Sequence, residues 1–124
     1  MTEQENSVPF AMAEAGYDVW LGNNRGNKYS RKHISVHPDD HHEAFFDFSF
    51  ETLGMFDVPA MIDYELKITG RKNLTWIGHS QGTSQMFAAL STDQAKYVDK
   101  INLFVALAPI ARLRDVMDAL SSNK

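Results

Sequence analysis

The sequence predicts an α/β fold in which helices flank a mostly parallel sheet. Helical and extended segments alternate along the chain without repeats or low-complexity tracts, which is typical of this class. Residues 101–108 are nearly all apolar, which indicates a strand buried on both faces. A second apolar run at 74–77 leads through a glycine-flanked serine into a helix-forming run at 85–90. The 124 residues are expected to belong to a single domain.

The first elements are predicted from stop signals and composition. Residues 10–15 have the pattern of a helix end, which Gly16 terminates, and residues 17–21 have the pattern of a short buried strand. Residues 22–43 are rich in Gly, Asn, Ser, His and charge, and Pro38 forbids a continuous helix there. We therefore expect a long polar loop within the domain.

Two helices should follow and cover one face of the sheet. Ser49 can cap a helix that continues to Asp57. A second helix begins near Pro59 and ends at Gly70. The apolar stripe of this second helix consists of Val58, Ile62 and Leu66.

The elements after the serine are shorter. Residues 93–100 have the pattern of a short amphipathic helix, and Pro109 should end the strand at 101–108. Residues 112–120 are expected to form a final helix, followed by a frayed end at 121–124.

Composition and charge exclude several functional classes. Twelve Lys and Arg stand against 16 Asp and Glu, for a net charge of -4, so no basic surface exists for nucleic acid or an anionic membrane. Without cysteine there are no disulfides or thiolate metal sites. No run approaches the roughly 18 apolar residues of a membrane span, and residues 1–6 are unlike a secretory signal. We expect no nucleic-acid partner and no transmembrane segment.

The pentapeptide Gly78-His79-Ser80-Gln81-Gly82 matches G-x-S-x-G and lies between the predicted strand and helix. In that setting it predicts a nucleophile elbow, a sharp turn that exposes the serine Oγ. Glycine at both flanks is expected to prevent side chains from colliding with the returning chain. An ordinary glycine-rich turn with a surface serine is the alternative, and the flanking elements favour the elbow.

Three stretches together resemble the acid lipases of the α/β-hydrolase superfamily, which include gastric and lysosomal acid lipases and steryl ester hydrolase relatives. The stretches are 13–33, Phe48-Ser49-Phe50 with Asp57-Val58-Pro59-Ala60, and Gly78-His79-Ser80-Gln81-Gly82-Thr83 with Ala106-Leu107-Ala108-Pro109. The match spans residues 10–111, and the order and spacing of the stretches make it specific.

The resemblance implies a partial α/β-hydrolase fold and a serine hydrolase of neutral lipid esters, triacylglycerols or steryl esters. Such an enzyme acts at a lipid–water interface without metal or organic cofactor. Ser80 would attack the ester carbonyl to form an acyl-enzyme, and the Gln81 backbone N–H would donate to the oxyanion. His79 is expected to turn away from Ser80 Oγ into the packing beneath. Relatives imply a secretory route to the lysosome or exterior, or association with lipid droplets or the endoplasmic reticulum.

Parts of the family's site have no counterpart in this sequence. The superfamily order is Ser, then Asp or Glu, then His, and no histidine follows Ser80. The carboxylates that follow it are not assigned to the triad: Asp93, Asp99, Asp115 and Asp118. The family's His-Gly-Leu segment, which supplies the second oxyanion donor, would precede Phe10.

We therefore expect the chain to be the nucleophile-bearing portion of a larger hydrolase, with the triad Asp and His and one oxyanion donor outside it. The alternative is a catalytically silent module of the same fold that binds an apolar ligand or a protein partner.

Three further groups are interpreted as structural. His33, His37 and His41 recur every fourth residue, as metal ligands on a helix would, but Pro38 favours a solvated loop. Arg25 is expected to be a buried, hydrogen-bonded loop anchor. A cluster of phenylalanines is expected to serve the core rather than contact lipid: Phe45, Phe46, Phe48, Phe50 and Phe56.

Overall fold

A computed structural model describes residues 7–111, in which helices cover one face of a two-stranded parallel sheet. The elements in chain order are α1 (Val8–Glu14), α2 (His42–Phe45), α3 (Phe50–Thr52), a π-helical turn (Leu53–Asp57), α4 (Val58–Thr69), β1 (Leu74–His79), α5 (Gln81–Thr92), a 3-10 turn (Gln94–Lys96) and β2 (Ile101–Leu107). The predicted helix at 112–120 and the frayed end at 121–124 lie outside the described residues. No helix within residues 7–111 has the length and apolarity to cross a membrane.

The local signals for helix ends are confirmed. Gly16 follows α1 with a φ of 89°, and Gly70 ends α4 with a φ of 67°. Ser49 caps α3, since its side chain accepts from the Thr52 backbone N–H at 3.5 Å. The helix that Ser49 begins continues to Asp57 through the π-helical turn and runs directly into α4. The two expected helices are therefore one continuous helical run.

The π-helical turn brings this helical run against α5. A Cβ on Gly54 would lie 2.6 Å from the Gln85 carbonyl oxygen and 2.9 Å from the Ala88 Cβ. Only a residue without a side chain permits this approach.

The sheet pairs β1 with β2 through the crossover helix α5. Trp76 lies opposite Phe104, and His79 lies opposite Leu107. Beyond the end of β1, the Ser80 N–H still donates to the Leu107 carbonyl at 3.0 Å. Both strands and the helix between them were predicted, and Pro109 follows β2 as expected.

The core forms between the helical run, α5 and one face of the sheet. Its buried members are Val58, Ile62, Met86, Ala89 and Tyr97. Partly buried apolar side chains pack around them: Leu66, Leu74, Trp76, Leu90, Ile101 and Phe104. The predicted stripe on α4 is therefore confirmed as a core-facing surface.

Two predictions of buried strands are wrong for the described part of the chain. Residues 17–21 have no regular secondary structure and pair with no strand in residues 7–111, and Leu21 is 72% exposed. The Trp20 ring of this segment contacts the Tyr64 ring of α4 edge to face, with centroids 6.1 Å apart. β2 is not buried on both faces, since Leu103 is 54% exposed. The cause in both cases is the lack of a neighbouring strand or helical layer among the described residues.

The remaining expectations are met in part. Residues 22–41 form turns and loop, and α2 begins within the predicted loop at His42. Residues 93–100 contain a single 3-10 turn instead of a helix. Among the phenylalanines Phe45 is buried, whereas Phe56 is exposed and does not serve the core.

Candidate active site

Ser80 makes the turn between β1 and α5 by itself. β1 ends at His79 and α5 begins at Gln81, and Ser80 between them has φ 52° and ψ -116°. L-residues rarely adopt such a positive φ, and it costs on the order of 1–3 kcal/mol. A strained serine at a strand-to-helix turn is the geometry that the G-x-S-x-G pattern predicts.

Hydrogen bonds hold both peptide groups of Ser80. Its N–H donates to Leu107, and its carbonyl oxygen accepts from the Thr83 N–H at 2.9 Å and from the Thr83 Oγ1 hydroxyl at 2.6 Å. The Ser80 side chain is half-buried and has no hydrogen-bond partner within residues 7–111. The backbone is therefore fixed while the hydroxyl is left unengaged by its described surroundings.

The two flanking glycines are not equivalent. A Cβ on Gly78 would lie 2.7 Å from the Gly82 carbonyl oxygen and 2.9 Å from the Thr83 nitrogen, so the collision expected at this flank is confirmed. A Cβ on Gly82 would meet nothing within 4 Å in the described part of the chain. The collision expected at Gly82 is wrong, because its Cβ direction faces open space among the described residues, and only its backbone takes part in the packing against Gly78.

Gln81 is the first residue of α5, so its N–H has no carbonyl acceptor in a preceding helical turn. The positive end of the helix dipole also lies here. The Gln81 N–H is thus a helix-terminal donor without an intrahelical acceptor, on the residue that directly follows Ser80.

His79 does not pack beneath the elbow. Its side chain is exposed, on the same face of β1 as Thr75 and Ile77 and opposite to the face that carries Leu74 and Trp76. The prediction of a packed His79 is wrong because no helix of residues 7–111 covers that sheet face. We call the face of Thr75, Ile77 and His79, with Leu103 of β2, the open sheet face.

The segment after β2 is tied to the first turn of α5. Ala108 has a φ of 47°, and Ile110 follows with hydrogen bonds on both of its backbone groups. The Ile110 N–H donates to Thr83 Oγ1 at 3.0 Å, and the Ser84 hydroxyl donates to the Ile110 carbonyl at 2.9 Å. Thr83 and Ser84 are buried. No role for these two hydroxyls was predicted from the sequence, although two consecutive hydroxyl residues in the first turn of a predicted helix could have indicated hydrogen bonds to a neighbouring segment.

Arg25 is a hydrogen-bonded anchor but is not buried. Its Nε donates to Asp57 Oδ1 at 2.7 Å and its backbone N–H donates to Asp57 Oδ2 at 2.8 Å. Its guanidinium lies over the rings of Phe48 and Phe56, at 5.9 and 5.7 Å from their centroids. The side chain is 41% exposed, since the loop that carries it lies at the surface.

The histidine-rich loop does not align its imidazoles. No helix spans residues 31–41, and His33 Nδ1 accepts from the backbone N–H groups of Ser35 and Val36, at 3.2 and 3.0 Å. His37 Nδ1 lies 3.6 Å from Asp40 Oδ2. Within residues 7–111 no three His, Asp or Glu side chains are arranged to hold a metal ion.

With its elbow turn and parallel strand pair, the chain belongs to the α/β hydrolase fold family, whose sequence model matches residues 4–123. It is 55% identical over 109 residues to a probable lipase of Schizosaccharomyces pombe, 48% over 114 residues to the lipase lipl-1 of Caenorhabditis elegans, and 46% over 110 residues to the gastric triacylglycerol lipase of Bos taurus. These matches confirm the resemblance to acid lipases.

The matches cover most of this chain but a small part of each relative. They include 88%, 92% and 89% of this chain, and 24%, 28% and 27% of the respective relatives. The chain therefore spans about a quarter of the length of these relatives.

Proposed function

We propose that the chain is the nucleophile-bearing part of a serine hydrolase that cleaves lipid esters, of the triacylglycerol or steryl ester lipase type. The observation that carries the proposal is Ser80, a non-glycine residue at positive φ between a parallel strand and a helix. This turn lies in a segment that is similar to proteins named as lipases.

In the proposed reaction the Ser80 oxygen attacks the ester carbonyl carbon. The Gln81 N–H stabilises the oxygen that becomes negative in the tetrahedral intermediate. When the intermediate collapses, the alcohol leaves with a proton and the acyl group stays on Ser80 as an ester, which water then cleaves. The proton must pass through a base, and we assign that base, its orienting acid and a second oxyanion donor to parts of the enzyme beyond this chain.

The substrate class follows from the relatives and from the chain's own charge. Among the similar proteins one is named a gastric triacylglycerol lipase, which supports a neutral, water-insoluble ester presented at a lipid–water interface. A net charge of -4 gives no attraction to the phosphates of nucleic acid.

The test uses the longest protein whose coding sequence contains this chain. Purified enzyme should hydrolyse a long-chain ester and react with a fluorophosphonate at Ser80. Ser80→Ala should lower kcat by about 10⁵ to 10⁶-fold and abolish labelling. Ser91→Ala is the matched control, because the Ser91 hydroxyl lies in the same helix and donates to the Ala88 carbonyl at 2.9 Å.

Hydrolysis that survives Ser80→Ala would remove Ser80 from the mechanism. A folded protein that neither hydrolyses esters nor reacts with the fluorophosphonate would support a silent binding module of the same fold.

A further inference from the structure

We propose that Thr83 is a positioning residue whose hydroxyl sets the direction of the Gln81 N–H toward the oxyanion. The inference rests on the proposed function, since it assigns a role within the same site. It starts from one short contact, in which the Thr83 hydroxyl donates to the Ser80 carbonyl oxygen at 2.6 Å. Thr83 is fully buried, so water does not compete for this bond.

The contact acts on the oxyanion donor through the peptide plane. The Ser80 carbonyl and the Gln81 N–H belong to one planar trans peptide group, so they point in opposite directions. A group that fixes the carbonyl therefore also fixes the N–H. The ψ of Ser80 is -116°, well away from the common backbone wells, so intrinsic preference does not set the orientation of this plane.

The Thr83 hydroxyl has a single direction in which to donate. Its oxygen accepts the Ile110 N–H at 3.0 Å, and Ile110 is itself held by the Ser84 hydroxyl. A backbone N–H can only donate, so the Thr83 proton is directed to the Ser80 carbonyl. A chain of hydrogen bonds thus runs from the segment after β2 to the peptide that carries the oxyanion donor.

The same carbonyl also accepts the Thr83 backbone N–H, at 2.9 Å. Two donors on one carbonyl oxygen polarise the peptide group, which makes the Gln81 N–H at its other end a stronger donor. Thr83 therefore contributes both the direction and the strength of the oxyanion contact.

A purely structural role for Thr83 predicts different kinetics. The Thr83 hydroxyl also links α5 to the segment after β2 through its hydrogen bond with Ile110. If this link were its only role, losing the hydroxyl would lower stability and disturb substrate binding. A positioning role instead affects a contact that reaches full strength in the transition state, so kcat should fall while KM stays constant.

The experiment compares Thr83→Val, Thr83→Ser and Thr92→Val in the full-length enzyme. Valine keeps the shape of threonine without the hydroxyl, and serine keeps the hydroxyl. Thr92→Val is the matched control, because the Thr92 hydroxyl donates to the Ala88 carbonyl at 2.9 Å at the exposed far end of α5.

We expect Thr83→Val to lower kcat by about 10 to 100-fold at unchanged KM, a part of the loss that follows removal of an oxyanion donor. Thr83→Ser and Thr92→Val should keep the wild-type kcat. An alkyl boronic acid, whose adduct with Ser80 places a negative oxygen at the oxyanion position, should bind Thr83→Val more weakly by the same factor.

Wild-type kcat in Thr83→Val, or a raised KM at constant kcat, would overturn the assignment. If Thr83→Val does not fold, Thr83→Ala replaces it, and a Thr83→Ala enzyme with the kcat of Thr83→Ser would likewise overturn it. Activity that survives Ser80→Ala would instead refute the proposed function itself. Ser80-dependent hydrolysis with an unaffected Thr83→Val refutes the positioning role and leaves the function standing.

Discussion

The backbone of Ser80 is held by groups from two elements that are distant in sequence. Leu107 lies at the end of β2 and Thr83 in the first turn of α5, and together they engage the N–H and carbonyl of Ser80. Each bond contributes about 0.5–1.5 kcal/mol, so together they offset the strain of the positive φ. The strained conformation of Ser80 is therefore a product of tertiary structure as well as of its glycine neighbours.

Glu65 gives a pH-dependent prediction at the residue scale. Burial raises the pKa of this α4 carboxyl above its ordinary value of 4.5, and the negative charge of Asp18 raises it further. Folding therefore favours the neutral form. The stabilisation by Glu65 is fully present below pH 4.5 and is lost as the pH rises through the higher pKa of the folded state.

Glu65→Gln should consequently raise the melting temperature at pH 7, because glutamine stays neutral. The gain should shrink as the pH falls and vanish below pH 4.5. Thermal unfolding of both proteins across this range measures the effect, with Glu14→Gln at the exposed end of α1 as a control. A gain of equal size at pH 4 and pH 7 would contradict the assigned cause.

At the scale of elements, the β1–α5 unit depends on one glycine rather than two. Gly78→Ala should destabilise the protein by about 1–3 kcal/mol and abolish activity, because the new Cβ meets the Gly82 backbone at 2.7 Å. Gly82→Ala should be tolerated, and it should even stabilise α5 slightly, since alanine favours helix over glycine. Urea unfolding distinguishes the two variants, and equal losses at both positions would contradict the packing seen at Gly78.

Elements with local signals could be predicted from the sequence. The cap at Ser49, the stop at Gly70 and the strands β1 and β2 depend on residues within a few positions of one another. Residues 17–21 could not be assigned in this way, because an apolar extended segment becomes a strand only when another strand supplies its hydrogen bonds. The sequence of a segment does not determine which other segments pack beside it in the folded protein.

The same distinction applies to the candidate site. The positions of Ser80 and Gln81 were predictable because the elbow is a local turn. Two other features could not be predicted: the open space beside Gly82 and the hydrogen bonds of Ile110 with Thr83 and Ser84. Both depend on how the end of β2 packs against α5.

At the scale of the whole molecule, the open sheet face governs how the chain behaves by itself. Ile77 is 39% exposed and Leu103 is 54% exposed on this face, and a two-stranded sheet is marginal without further partners. The 124-residue chain, expressed without additional sequence, should therefore associate as its concentration rises. Light scattering during size-exclusion chromatography measures this, and Leu103→Thr should lessen it.

The same isolated chain should show negligible ester turnover. Within residues 7–111 no side chain hydrogen-bonds the Ser80 hydroxyl, and unassisted serine is a weak nucleophile. Its rate should match that of its Ser80→Ala variant in a long-chain ester assay. Monomeric protein with Ser80-dependent turnover would show that a base lies within the chain and would contradict the proposed division of the site.

The bond between Arg25 and Asp57 joins the surface loop to the junction of the π-helical turn with α4. The Arg25 backbone N–H donates to Asp57 Oδ2 with a nitrogen–oxygen distance of 2.8 Å, although the segment around Arg25 has no regular secondary structure. Deuterium from solvent can replace that proton only when the hydrogen bond to the carboxylate breaks. Slow exchange at this amide would therefore report how long the contact between the surface loop and the helical run persists.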